Sequence, residues 1–168
     1  MTGQAPPREA TVYLSLGSNL GNRRENLKQA LRRLQETPGL RVTKVSRVYR
    51  TAPVGVTQQP EFLNLALAGR TTLAPLQLLR VVKEIERTVG RIGERRWGPR
   101  VIDIDILMYD SVTMESGELI LPHPLMRERA FVMVPLAEIA PNLELAGGGR
   151  AAELAAALSK EQQVGADV

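Results

Sequence analysis

A chain of 168 residues, 43% of them hydrophobic, is long enough to bury most of its apolar surface in a single core, so no second domain is expected. It has no cysteine, which excludes a disulfide framework and a thiolate metal site, and neither a charged-then-apolar leader nor an apolar run of membrane length, which points to a cytoplasmic protein with no membrane partner. The net charge of +4 suits polyanionic ligands, nucleotide phosphates and nucleic acid alike.

Residues 1–10 (MTGQAPPREA) are polar, proline-bearing and aperiodic, and read as a flexible tail before a first strand, TVYLSL. A helix follows in GSNLGNRRENLKQALRRLQE: Asn22 is a good N-cap, Glu25 stands three residues on, and Leu27, Ala30, Leu31 and Leu34 form one apolar stripe. RVTKVSRVYRT and FLNLALAGRTT read as strands by their alternation and β-branched content, separated by APVGVTQQPE, too long for a tight hairpin and a candidate binding segment. APLQLLRVVKEIERTVG reads as a second helix, opened by Pro75 and stopped by Gly90, with Leu78, Val82, Ile85 and Val89 on one face.

The next strand, in VIDIDILMYD, completes the order β-α-β-β-α-β, the pattern of a ferredoxin-like α+β sheet with both helices on one face. LPHPLMRERAFVMVPLAEIAPNL then reads as a loop and an irregular helical segment. AGGGRAAELAAALSKEQQ reads as a glycine break before a short alanine-rich helix, so additional C-terminal helical segments are expected, with 146–168 as break, helix and tail.

In an extended strand Asp103 and Asp105 point to one face with Cα atoms roughly 6.5–7 Å apart, while Ile102, Ile104 and Ile106 point to the other. Two carboxylates that repel each other and are costly to desolvate call for a cation; hard oxygen ligands favour magnesium, which usually comes with phosphates. The bland alternative is a strand face whose acids pair with nearby arginines.

Arg91, Arg95, Arg96 and Arg100 precede the aspartates in one segment, which reads either as a solvated basic loop or, beside a metal, as a phosphate clamp. Trp97, the only tryptophan, could cover a ring or anchor its loop, and His123, the only histidine, is either a turn residue or a donor to phosphate. Phe62 and Phe131 could sandwich a flat heterocycle or pack in the core. Asn64 shares the strand face of Phe62 and can present a donor and an acceptor to a heterocycle edge. There is no GxxxxGK loop and no GxGxxG run, so any phosphoryl chemistry rests on side chains and metals.

LGSNLGN, YRTAPVG, FLN, RRWGPRVIDIDIL and LPHPLMRERAFV, in that order between about Val12 and Leu143, resemble the motifs of the 6-hydroxymethyl-7,8-dihydropterin pyrophosphokinase family. The resemblance implies a ferredoxin-like α+β pyrophosphokinase domain over residues 11–145. Its implied activity transfers pyrophosphate from ATP to the hydroxymethyl group of a reduced pterin, releasing AMP, in folate biosynthesis. It implies that Asp103 and Asp105 hold two magnesium ions, and that Arg91, Arg100 and Asp105 serve catalysis. By the same carry-over Thr51, the backbone of Val54, Phe62, Asn64, Trp97 and Phe131 hold the pterin. Lys83, Glu86, Arg91, Trp97, Arg100, the Ile106 backbone, His123 and Arg129 face ATP, Lys83 standing where some members carry an adenine-side glutamine. ATP and a reduced pterin are then the partners of a monomer that binds no nucleic acid.

Two other readings use the same residues. A ferredoxin-like RNA-binding module shares the strand order and basic charge but lacks the expected aromatic run on the sheet. A nucleotide-sensing domain would bind ATP without turnover.

Overall fold

The computed structural model describes residues 8–51, 61–90 and 101–167. Its centre is β1 (Ala10–Ser18), which pairs antiparallel with β4 (Phe62–Thr71) on one side and β5 (Asp103–Tyr109) on the other. β2 (Leu40–Val45) and β3 (Tyr49–Thr51) both pair with β4, and the sheet ends on β8 (Val164–Ala166), antiparallel to β3. A small hairpin of β6 (Met114–Glu115) and β7 (Ile120–Leu121) stands apart.

α1 (Arg23–Gln35) starts at Asn22, whose side-chain oxygen accepts from the Glu25 N–H at 3.1 Å, and α2 (Pro75–Val89) starts on Pro75. Both cover one face of the sheet. Their Leu27, Ala30, Leu34, Leu78, Val82 and Ile85 close over Val12, Leu14, Leu16, Leu63, Leu65, Leu67, Ile104 and Ile106. The β-α-β-β-α-β order of a ferredoxin-like α+β fold is thus present.

The opposite face is covered at one end by α3 (Ala130–Ile139) and α4 (Ala151–Ser159), packed on Tyr13, Ala66, Ala68 and Leu107. At the other end of that face the alternation of β1, β4 and β5 turns polar. There Ser15, Gly17, Asn64, Asp103 and Asp105 line a cavity.

Three features depart from the reading by pattern. The single strand expected over residues 41–51 is two strands, because Ser46 interrupts the ladder: its N–H donates to the Ala66 carbonyl at 2.8 Å and its hydroxyl accepts from the Ala66 N–H at 2.9 Å. One residue thereby serves both polar groups of Ala66 while the chain bends. Ala10, placed by composition in the tail, is buried and pairs with Thr71, since an alanine at a strand start leaves no trace in the alternation. The C-terminal stretch read as a tail pairs with the outer edge of β3, a three-residue match too short to show a period.

α3 is tied to β3 by Glu138, which accepts hydrogen bonds from the Tyr49 hydroxyl, the Arg47 guanidinium at 3.0 Å and the Arg47 N–H at 2.9 Å. Burial alone would raise the Glu138 carboxyl, but these donors outweigh it and hold the group below its ordinary value. A depressed carboxyl contributes stability above the unfolded value of about 4.3, and that contribution is lost as pH falls through the folded value. Glu138→Gln should therefore be less stable than wild type at neutral pH, and the difference should shrink in urea titrations run progressively below about pH 4.3. Glu138→Ala, which removes the acceptor of the Tyr49 hydroxyl and of two Arg47 donors, should cost about 1–3 kcal/mol at neutral pH.

Candidate active site

The cavity encloses about 680 Å³, within the roughly 300–1,000 Å³ typical of small-molecule sites. Strand register assembles its floor. Gly17 of β1 lies opposite Asn64 of β4 on one side and Asp103 of β5 on the other, and Ser15 lies opposite Asp105 in the neighbouring row. Because side chains alternate along each strand, the same register that sends Leu14, Leu16, Ile104 and Ile106 into the core turns Ser15, Gly17, Asp103 and Asp105 to the cavity.

Asn64 is held tightly. It is 2% exposed, and its amide nitrogen donates to the Thr51 hydroxyl at 2.8 Å. A Cβ on Gly17 would stand 2.7 Å from the Asn64 amide oxygen, so only glycine lets that amide lie across β1. Phe62, which pairs with Thr51 at the start of β4, and Phe131, in the first turn of α3, line the same cavity. Arg129 precedes α3 with its guanidinium 5.4 Å from the centre of the Phe131 ring.

The acidic end is electrostatically incomplete. Asp105 is pushed above its ordinary value, first by burial and then by Asp103, against the opposing pull of His123, Arg129 and Lys83. Among the described residues no group of three or more histidine, cysteine, aspartate or glutamate side chains is placed to cage a metal. Two hard carboxylates open to a cavity nevertheless fit magnesium, which usually binds through one or two carboxylates and takes its remaining ligands from water and phosphate.

His123 lies just beyond β7. Its Nδ1 accepts from the Leu125 N–H at 3.1 Å, so the neutral ring carries its proton on Nε2. Burial, helped by Arg129 and opposed by Asp105, lowers its basicity. On α2, Lys83 pairs with Glu86 at 3.1 Å, and the other Glu86 oxygen accepts from the Ile104 N–H on the outer edge of β5 at 2.9 Å. Burial raises the Glu86 carboxyl, while the Ile104 N–H and Lys83 oppose that shift.

Seven of the residues singled out in the sequence therefore meet around one space: Thr51, Phe62, Asn64, Asp103, Asp105, Arg129 and Phe131. Lys83, Glu86, His123 and Ile106 do not line it. The Ile106 side chain is in the core, leaving only its backbone on the β5 edge. Val54, Arg91, Trp97 and Arg100, with Arg95 and Arg96, lie outside the described residues. Pattern reading missed Ser15, read only as part of the first strand, Gly17, whose GSNLGN context reads as a helix start, and Glu128, Gln162 and Val164, for which no local signal exists.

A family model described as 7,8-dihydro-6-hydroxymethylpterin-pyrophosphokinase matches residues 13–141. The 2-amino-4-hydroxy-6-hydroxymethyldihydropteridine pyrophosphokinase of Methylorubrum extorquens is 53% identical over 136 residues, 81% of this chain and 86% of that protein. The Bacillus subtilis protein of the same name is 47% identical over 133 residues, 79% of this chain and 80% of its own. In fold, the chain is similar to the crystal structure of Plasmodium falciparum HPPK-DHPS, wild type with pterin and p-hydroxybenzoate. That match has a TM-score of 0.70 at 15% identity and covers 91% of this chain but only 44% of the Plasmodium chain.

The Gly17 contact makes a direct test. Gly17→Ala should cost about 1–3 kcal/mol in urea denaturation by displacing the Asn64 amide, and the cost should largely vanish in an Asn64→Ala background. Equal costs in the two backgrounds would show that the contact with Asn64 is not what requires glycine.

Proposed function

The chain belongs to the 7,8-dihydro-6-hydroxymethylpterin-pyrophosphokinase family, and from that premise we propose how its residues divide the reaction. The protein is an ATP-dependent pyrophosphokinase that transfers pyrophosphate from ATP to the hydroxymethyl group of 6-hydroxymethyl-7,8-dihydropterin, releasing AMP, in folate biosynthesis. Family membership removes both the RNA-binding and the nucleotide-sensing alternatives. Among the described residues no helix is long and apolar enough to cross a membrane; the setting we propose is a cytoplasmic monomer.

The observation that carries the assignment of roles is that one cavity joins a carboxylate pair to an aromatic and amide-lined wall. At the wall, Asn64 and Thr51 meet the pterin edge, and Phe62 and Phe131 take its two faces. Their mutual hydrogen bond fixes Asn64 so that its amide oxygen is left to accept from a ring N–H. The pterin hydroxyl then points along the sheet toward Asp105.

At the acidic end Asp103 and Asp105 would hold two magnesium ions, which when bound neutralise the triphosphate and polarise the phosphorus under attack. Asp105 also stands where it can accept the hydroxyl proton, directly or through water, as the oxygen bonds to the β-phosphorus and the bond to AMP breaks. Arg129 and His123, whose charges act on Asp105, are assigned to phosphate. Glu86 braces the β5 edge at Ile104, with Lys83 beside it, leaving the Ile106 backbone for adenine. Arg91 and Arg100 complete the phosphate clamp, and Val54 and Trp97 the pterin pocket, by their place in the motifs.

Substituting Asp103→Asn or Asp105→Asn should lower turnover by about a hundredfold or more, since each removes a charge-neutralising ligand worth several kcal/mol in the transition state. The apo variants should unfold at the same or a slightly higher temperature than wild type, because a self-repulsion is removed. The assay is incubation with magnesium, ATP and the reduced pterin, scored for AMP rather than ADP. Near-normal AMP release by either variant at saturating magnesium would refute the metal assignment.

A further inference from the structure

Gln162 lies in the turn after α4, beyond the residues 13–141 that match the family model, and it borders the cavity. Its amide oxygen accepts from the Ala130 N–H at 2.9 Å, and its amide nitrogen donates to the Glu128 carbonyl at 2.9 Å. Those two groups belong to the two peptide planes on either side of the Arg129 Cα. A single side chain thus holds both planes, and with them the direction in which the Arg129 side chain leaves the backbone.

Among the described residues no side chain from α3's own N-cap serves this helix start. Arg129 is the N-cap residue of α3 and makes no side-chain cap, because its guanidinium lies over the Phe131 ring. The first N–H groups of a helix need an acceptor from outside, and Gln162 supplies it from a distant part of the chain.

Gln162 is itself anchored. Its N–H donates to the Leu158 carbonyl at 2.9 Å, and the chain beyond it enters β8, where Val164 pairs with Thr51. Asp167 closes the strand: its N–H donates to the Val48 carbonyl at 2.8 Å, and its carboxylate pairs with Arg50 at 3.1 Å and with Arg24. The segment therefore straps the α3 wall of the cavity, with Arg129 and Phe131, to the β3 wall, with Thr51.

We propose that Gln162 is a positioning residue for the pyrophosphoryl transfer, acting through Arg129, and that the C-terminal strand exists to hold it there. The inference rests on the assignment of Arg129 to the ATP phosphates. A guanidinium released from its fixed direction still binds nucleotide loosely but no longer meets the charge where it develops, so the loss falls on kcat/KM.

A double-mutant cycle on the full chain tests this by steady-state kinetics with ATP varied. Gln162→Met, which keeps the bulk and removes both hydrogen bonds, should lower kcat/KM for ATP about tenfold in the wild-type background and less than about twofold in Arg129→Ala. Gln162→Glu, which retains the acceptor for Ala130 alone, should fall between wild type and Gln162→Met, and it carries the cycle if the methionine variant does not fold. Equal factors in the two backgrounds would overturn the proposal by showing a merely structural role. So would an unchanged kcat/KM for Gln162→Met while Arg129→Ala is impaired. An unimpaired Arg129→Ala would instead remove the assignment of Arg129 to ATP, and this inference with it.

Discussion

The pairing of β1 between β4 and β5 is the constraint on which the site depends. With Gly17 opposite Asn64 and Asp103, and Ser15 opposite Asp105, three strands contribute to one polar patch while their alternate residues fill the core beneath α1 and α2. A slip of one residue in β5 would send two carboxylates into the layer of Leu14 and Leu16 and turn Ile104 and Ile106 out. Burial of an unpaired carboxylate costs far more than any gain from the slipped ladder, so the core enforces the register and the register delivers the site. Gly17 adds a second condition, because a side chain there would push away the Asn64 amide that the Thr51 hydroxyl holds.

The patch so formed is unsatisfied by the protein itself. His123, Arg129 and Lys83 pull the Asp105 carboxyl toward its charged form, yet burial and Asp103 prevail. That residual repulsion is a demand for positive charge at a place open to the cavity. We propose that ATP with its metal ions supplies that charge, with Arg129 and His123 meeting the phosphates. The acids and the nearest arginine sit on different elements, Asp103 and Asp105 on β5 and Arg129 at the start of α3.

Much of this was legible along the chain because it rests on local rules. Asn22 with Glu25, Pro75 and the alternation through Asp103 and Asp105 each encode their structure within a few residues, and the resemblance in FLN and PLMRERAFV drew Phe62, Asn64, Arg129 and Phe131 to one site. The features that escaped are set by partners far away in sequence. Ser46 breaks a strand by bonding Ala66, β8 joins an edge only three residues long, and Gln162 acts on a residue 32 positions earlier. A glutamine in a polar tail and a glycine beside a helix start have no pattern to declare such roles. Only the assembled sheet shows what each of them faces.

We propose that the Asp103 and Asp105 pair excludes phosphate until metal accompanies it. Calorimetric titration with a non-hydrolysable ATP analogue, with and without magnesium, in wild type and in Asp105→Asn, measures this most directly. Wild type should bind the analogue far more weakly without magnesium, and the difference should narrow in Asp105→Asn because one repelling charge is gone. The same magnesium dependence in both proteins would contradict it, since the aspartate would then play no part in making nucleotide binding depend on the metal.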